Sequence, residues 1–283
     1  MMRIALDWFV NPDHVPLFAA GLADQLVQPA DPDEPLAMVV DGRVDLALNY
    51  QPNVTLARSR GLPVHAVGLL IDQVLDTLMV RADGPIRAVS DLAGHRVAYA
   101  VEPFDRVMFQ AMAQHAGLAP DSWTFVDVGF EFTRALLEDR VDAVMGAFRN
   151  YEVIEAEELG MPVRVFELAD HGVPPFYQLV FVARDDVTAE RARVLAETLA
   201  RAAEGIALTR TDPLRAFAAY LRANPTHDDR FHRRAFAATV ATFAASQRQD
   251  ARRWREFGDF LRARGLLATV PAAADLFTNE LAA

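Results

Sequence analysis

The sequence predicts an α/β protein built from two lobes. Short apolar runs alternate with helical stretches, which is the α/β pattern. The alternation comes in two successive blocks, one ending near residue 80 and one beginning at Gly84-Pro85. A long apolar run, Phe176 to Ala183, then leads into a chain that is helical from about Thr188 onward. The lobes are accordingly read as residues 1–80 plus 188–283, with a helical C-terminal part, and residues 81–187. In open parallel sheets ligands bind outside the carboxyl ends of the strands, which in a two-lobed protein line the cleft between lobes.

The first block opens with a strand, Arg3 to Leu6, that delivers Asp7-Trp8-Phe9-Val10-Asn11-Pro12-Asp13-His14. A helix is predicted over about Val15–Ala23, a brief strand over Gln25–Gln28 and a helix over Pro35–Val40. Gly42 closes that helix, because glycine takes the left-handed cap without a Cβ penalty. Val44–Leu48 reads as a strand, and Asn49-Tyr50-Gln51-Pro52 opens the next helix, with proline suited to its first turn. Strands follow at Val64–Leu70 and Asp76–Arg81. In the second block, Arg96–Ala100 is a strand leading through Val101-Glu102-Pro103-Phe104 into a helix that stops at Gly117. Thr124–Val128, Val141–Gly146 and Val163–Glu167 read as strands, and Glu131–Leu137 as a helix. In the C-terminal part Ala192, Leu195, Leu199, Ala202 and Ile206 recur at helical spacing.

Composition removes several chemistries. The 28 basic side chains are all arginine, against 39 acidic ones, for a net charge of −11, and there is no cysteine. An acidic balance argues against nucleic acid as a partner, since phosphate binding needs clustered cations. Without cysteine there is no disulfide, thiolate nucleophile or iron–sulfur cluster. Without lysine there is no Schiff-base nucleophile and no P-loop. Such counts also fit a genome rich in arginine codons; the exclusions hold either way. No run of about 18 apolar residues suggests a membrane span. No signal-peptide pattern is visible. The chain is therefore read either as cytoplasmic or as a periplasmic or cell-envelope protein whose leader has been removed.

Three stretches together resemble the thiamine-pyrimidine family of the type II periplasmic binding protein fold. They are Leu6 to His14; Gly42-Arg43-Val44-Asp45-Leu46-Ala47 before Asn49-Tyr50-Gln51-Pro52; and Asp142 to Glu152 before Gly172-Val173-Pro174-Pro175-Phe176-Tyr177. The resemblance extends to the Trp254 helix and to Phe277-Thr278-Asn279-Glu280. It implies a two-lobed fold with a ligand cleft between the lobes. The family holds substrate-binding proteins of ABC importers for thiamine-pyrimidine precursors and an enzyme that makes the pyrimidine phosphate. The enzyme branch carries a lysine and a histidine after the third strand, at positions that look like Asn49 and Asn53 here. It also carries a cysteine-rich iron motif where this chain reads His171-Gly172-Val173-Pro174-Pro175-Phe176-Tyr177. In that branch pyridoxal phosphate is anchored by the lysine and becomes part of the pyrimidine. A chain with neither residue type therefore resembles the binding branch: no enzyme, no cofactor, no metal, a monomer handing a heterocycle to an ABC permease. Riboflavin or a sulfonate is a further ligand possibility. Two departures stand out. The Gly21–Ala30 stretch is short. Glu102-Pro103 replaces glycines that would cradle a phosphate, and a carboxylate there disfavours an anionic ligand.

The candidate ligand-binding residues are Trp8, Asn11, His14, Asn49, Tyr50, Gln51, Tyr151, Glu152 and Tyr177. Trp8 and Tyr50 could sandwich a flat ring, or simply pack in the lobe. Asn11 offers a donor and an acceptor to a pyrimidine edge, or serves the turn before Pro12. His14, Asn49 and Gln51 either reach a ligand or cap the following helix. Glu152, beside Tyr151, accepts from an aminopyrimidine edge or an ammonium, or is an acid favoured at a helix start. Tyr177 reaches the cleft or belongs to the core. His227, His232, Arg252 and Arg253 read as a solvated face, and Glu155-Ala156-Glu157-Glu158 as a solvated helix.

Overall fold

The computed structural model describes residues 2–282. Among these, ten strands form two five-stranded sheets. The strands are β1 (Ile4–Ala5), β2 (Leu26–Val27), β3 (Leu46–Asn49), β4 (Val64–Ile71), β5 (Asp76–Arg81), β6 (Arg96–Tyr99), β7 (Thr124–Asp127), β8 (Ala143–Phe148), β9 (Val163–Glu167) and β10 (Leu179–Arg184). The helices are α1 (Val15–Ala19), α2 (Glu34–Val40), α3 (Gln51–Ser59), α4 (Phe104–His115), α5 (Phe132–Leu137), α6 (Glu152–Glu158), α7 (Ala189–Thr211), α8 (Pro213–Ala223), α9 (Arg230–Thr239), α10 (Ala251–Ala263) and α11 (Ala273–Leu276).

The two sheets follow one plan. The first has the order β2-β1-β3-β10-β4 and the second β7-β6-β8-β5-β9. Three strands of each run parallel: β1 with β2 and β3, and β6 with β7 and β8. Into each, one strand arrives from the other sheet and inserts antiparallel, β10 between β3 and β4 and β5 between β8 and β9. Both arriving strands are buried along nearly their whole length, so Leu179-Val180-Phe181-Val182-Ala183 and Leu78-Met79-Val80 read as unbroken apolar runs rather than alternations. This exchange corrects the lobe boundaries expected from sequence. Asp76–Arg81 pairs in the second sheet although it was placed in the first lobe, and Leu179–Arg184 pairs in the first although it was placed in the second. Strand continuity hid the two crossings, at residues 72–75 and 168–178.

Of the C-terminal helices, α7 and α8 pack on α1, α10 on α3 and α11 on α3 and β4, while α9 contacts both the first lobe and α6. Thr188 caps α7 by accepting from the Arg191 N–H at 3.3 Å. Leu195, Leu199, Ala202 and Ile206 form the buried stripe of α7, while Ala192 stays half-buried. Gly205 lets α7 cross α1 closely: a Cβ there would lie 2.1 Å from the Pro16 carbonyl oxygen. No helix among the described residues is long and apolar enough to cross a membrane.

Candidate ligand cleft

The carboxyl ends of the parallel strands of both sheets meet at one cavity. From the first sheet, Asp7 and Trp8 follow β1 and Tyr50 follows β3. From the second, Val101, Phe104 and Asp105 follow β6, Phe132 opens α5, and Tyr151 and Glu152 follow β8. Asn11, Asp76, Gly146 and Phe148 complete the lining of a narrow cavity of about 20 Å³. Residues of the two sheets already touch across it. Trp8 stacks on Phe132 at 5.5 Å and meets Phe130 edge-on at 4.8 Å. Tyr50 stacks on Phe104 at 5.0 Å.

The polar groups of the cavity are mostly carboxyls. Asp7 is held on both oxygens: His14 Nε2 lies 2.9 Å from Oδ1, and Tyr50 Oη donates to Oδ2 at 3.2 Å. The Asn11 N–H donates to His14 Nδ1, which leaves the Nε2 proton for Asp7. Asp105 Oδ2 accepts the Ala100 and Val101 N–H groups, each at 2.9 Å. Glu152 Oε2 accepts the Phe148 N–H at 2.8 Å. Asp76 Oδ2 accepts Gln178 Nε2 at 2.9 Å, while Asp76 Oδ1 and Trp8 Nε1 are buried without a partner. No arginine, lysine or histidine belongs to the lining. Burial pushes the Asp105 carboxyl up to about 7, against two backbone N–H bonds that favour the charged form. Asp76 and Glu152 are raised well above the carboxylate range, first by burial and, for Asp76, also by Asp105. Aromatic walls with proton-hungry carboxyls suit a flat heterocycle that donates hydrogen bonds or carries positive charge. A phosphate would meet four buried carboxyls and no cation.

Five of the nine sequence-predicted residues line this cavity: Trp8, Asn11, Tyr50, Tyr151 and Glu152. Asn11 also serves its turn, since its Oδ1 accepts the Asp13 N–H at 2.8 Å. The other four do not line it, for physical reasons. His14 is fully buried behind Asp7 and holds that carboxylate. Asn49 turns back on the chain, with Oδ1 accepting the Tyr50 N–H at 2.9 Å. Gln51 faces away from the cavity, and its Oε1 accepts the Tyr177 N–H at 2.8 Å. Tyr177 packs on Trp254 in the outer core, where its Oη accepts the Asp250 N–H at 2.8 Å. Glu102, read as lying beside a bound anion, instead pairs with Arg106 at 2.7 Å outside the lining. His227 and His232, read as solvated, stack at 4.0 Å, with His232 buried. Glu157 and Glu158, also read as solvated, pair with Arg234 of α9. Sequence reasoning missed Asp7, Asp76, Val101, Phe104, Asp105, Phe132, Gly146 and Phe148. Asp7 and Asp105 lay within reach of a search for acids just after strands; Asp76 opens a strand and gave no such signal.

A family model described as NMT1/THI5 like matches residues 18–216. The chain belongs to this NMT1/THI5-like family. Among relatives, a Haemophilus influenzae protein provisionally named a thiamine biosynthesis protein is 30% identical over 277 residues, covering 94% of this chain and 88% of that protein. A formylaminopyrimidine-binding protein from Halalkalibacterium halodurans is 32% identical over 204 residues, 69% of this chain and 62% of that protein. A 4-amino-5-hydroxymethyl-2-methylpyrimidine phosphate synthase from Legionella pneumophila is 27% identical over 273 residues, 92% and 85% of the two chains. In three dimensions the ligand-binding component of an ABC-type import system from Staphylococcus aureus superposes with a TM-score of 0.76 at 14% identity, covering 99% of this chain and 97% of that one. The fold is that of the periplasmic binding proteins, with two lobes. Within this NMT1/THI5-like chain, the positions resembling the enzyme branch's lysine and histidine are occupied by two amides bonded to each other. Asn53 Nδ2 donates to Asn49 Oδ1 at 3.0 Å, and neither residue lines the cavity.

Proposed function

We propose that this protein is the substrate-binding component of an ABC importer for an unphosphorylated aminopyrimidine related to the pyrimidine half of thiamine. The two lobes would close on the ring, with Trp8, Tyr50 and Tyr151 as walls and Glu152 and Asn11 at its polar edge. One observation carries the reading. A cavity between the lobes is walled by aromatic rings and buried carboxyls, has no basic residue, and holds an unpartnered acceptor on Asp76 and donor on Trp8. Ring nitrogens and exocyclic amines match both groups. The formylaminopyrimidine-binding relative and the binding-protein fold support this class of ligand, and an extracytoplasmic site of action fits it.

The second reading is a pyrimidine phosphate synthase, favoured by the synthase relatives. The absence of any lysine and the Asn49–Asn53 pair oppose it. A test titrates 4-amino-5-hydroxymethyl-2-methylpyrimidine and its phosphate, watching tryptophan fluorescence and thermal shift. Binding of the free pyrimidine over the phosphate, with no product formed from pyridoxal phosphate and iron, supports the importer reading. Response only to a flavin or sulfonate overturns the ligand class, and product formation overturns the binder.

A further inference from the structure

We propose that Asp76 recognises a positively charged ammonium group on the ligand and that Gln178 relays this contact to the two crossings between the lobes. The inference rests on the cavity being an aminopyrimidine site, and it narrows that class to a monocation.

The four lining carboxyls are not equivalent. Asp7 is engaged on both oxygens, by His14 and Tyr50. Asp105 accepts the Ala100 and Val101 N–H groups just before α4, and Glu152 accepts the Phe148 N–H at the end of β8. Asp76 alone among the four has a buried oxygen, Oδ1, with no partner, although the residue is only 1% exposed. A buried oxygen of this kind keeps a desolvation penalty for as long as it lacks a partner. An ammonium supplies up to three donors and a charge. The walls agree, since Trp8, Tyr50, Phe104 and Phe148 line the cavity and aromatic rings attract cations. Arg149, whose charge acts on Asp76, is committed to Glu167 and does not line the cavity.

Behind Asp76 lies a connection that no other lining carboxyl has. Gln178 is fully buried on the return crossing, just before β10. Its Nε2 holds Asp76 Oδ2 at 2.9 Å, and its Oε1 accepts the Leu75 N–H at 2.6 Å and the Asp76 N–H at 3.4 Å. One side chain therefore ties the outward crossing, the return crossing and a cavity carboxyl together. A ligand gripping Asp76 Oδ1 in the closed arrangement biases the segment about which the lobes must turn. Such differential contact is what a ligand needs to shift an open–closed equilibrium.

The test uses three probes with one ring and different 5-substituents: aminomethyl (a cation at pH 7), hydroxymethyl, and phosphooxymethyl. Isothermal titration of the intact protein is expected to rank them in that order. Asp76→Asn keeps an acceptor for Gln178 and is expected to cut the aminomethyl-over-hydroxymethyl preference by tenfold or more. Asp41→Asn, an exposed change of equal charge, should leave the ratio intact. An unchanged ratio in Asp76→Asn overturns this inference alone. If wild type binds none of the three, the functional reading fails and takes this one with it. Should Asp76→Asn fail to fold by circular dichroism, the wild-type ranking decides, and a hydroxymethyl or phosphate probe bound as tightly as the amine overturns the proposal. Gln178→Leu is expected to keep the preference for the amine but to lose at least half of the ligand-induced contraction in radius of gyration seen by small-angle scattering. Contraction equal to wild type overturns the relay.

Discussion

Asp105 shows how a single residue sets the pH response of the cleft. Its carboxyl is raised from an ordinary value of 3.8 to about 7, mainly by burial. Between those values the folded protein binds more protons than the unfolded chain, so stability falls as pH rises through the window. Asp13, raised from 3.8 to about 6 for the same leading reason, adds to the same slope. We expect the melting temperature of the ligand-free protein to decline from about pH 4 to pH 7, and Asp105→Asn to flatten that decline. A flat wild-type profile over that range would contradict the burial argument. A cationic ligand reverses the preference by stabilising the carboxylates, so its binding near pH 6 should release protons. Calorimetry in buffers of different ionisation enthalpy measures this directly. Trp8→Phe probes the donor at the other side of the cavity. It keeps the ring that stacks on Phe132 but removes the unpartnered Nε1–H, and should weaken aminopyrimidine binding by about 1 kcal/mol, or roughly fivefold. Equal affinity would mean that Nε1 donates to no ligand atom.

At the scale of elements, β8 and the turns after strands explain what was legible and what was not. Gly146 sits inside β8 at φ +91°, and a Cβ there would lie 2.8 Å from Asp105 Oδ1. Gly146→Ala is therefore strained in its backbone and drives Asp105 from its two N–H donors. It should cost more than about 1 kcal/mol of stability and weaken ligand binding, measured by urea unfolding and titration. A neutral effect on both would show that Asp105 can be displaced freely. The strand-end positions themselves were readable, because apolar runs ending in Asp, Trp, Asn or Tyr mark where chains leave the sheet. Which of those side chains face the cavity was not readable. Asn11, His14, Asn49 and Gln51 are types that cap helices and bond local backbone as readily as they bind ligands. Here His14, Asn49 and Gln51 are spent on Asp7, Tyr50 and Tyr177. Tyr177 belongs to the outer core because its ring packs on Trp254 and its Oη accepts the Asp250 N–H, both contacts to α10 and its cap.

For the whole molecule, the question is what holds the lobes together around the cavity. Asn150, after β8, donates to Asp13 Oδ1 and to Thr239 Oγ1, each at 2.7 Å, and so links the second sheet to the first lobe and to α9. Arg234 of α9 reaches Glu157 of α6 at 2.7 Å, and Asp33 accepts the Glu102 N–H across the mouth of the cleft. The ion pair is part-exposed and contributes little. The buried Asn150 contacts matter more. Asn150→Ala should lower stability by on the order of 1–3 kcal/mol and loosen closure. Apparent affinity then drops in proportion to the closed fraction. A larger radius of gyration without ligand, together with weaker binding, is the expected outcome. An unchanged radius would place the interlobe hold elsewhere.

The sequence by itself determined the class of fold and much of the chemistry that is absent. Alternating apolar runs and helical periods are local, and a missing residue type is missing wherever the chain goes. The family likeness was also carried by contiguous stretches, such as Leu6 to His14 and Asp142 to Glu152. Only the tertiary structure decided where the lobes exchange strands and which acids become the polar lining of the cleft. Asp7, Asp76, Asp105 and Glu152 lie far apart along the chain, and no local rule brings them together. Their proton affinity comes from burial by distant residues. The link from Asp76 through Gln178 joins positions 102 residues apart. Burial and long-range hydrogen bonding are properties of the packed molecule, so the charge preference of this cleft appears only once both sheets are in place.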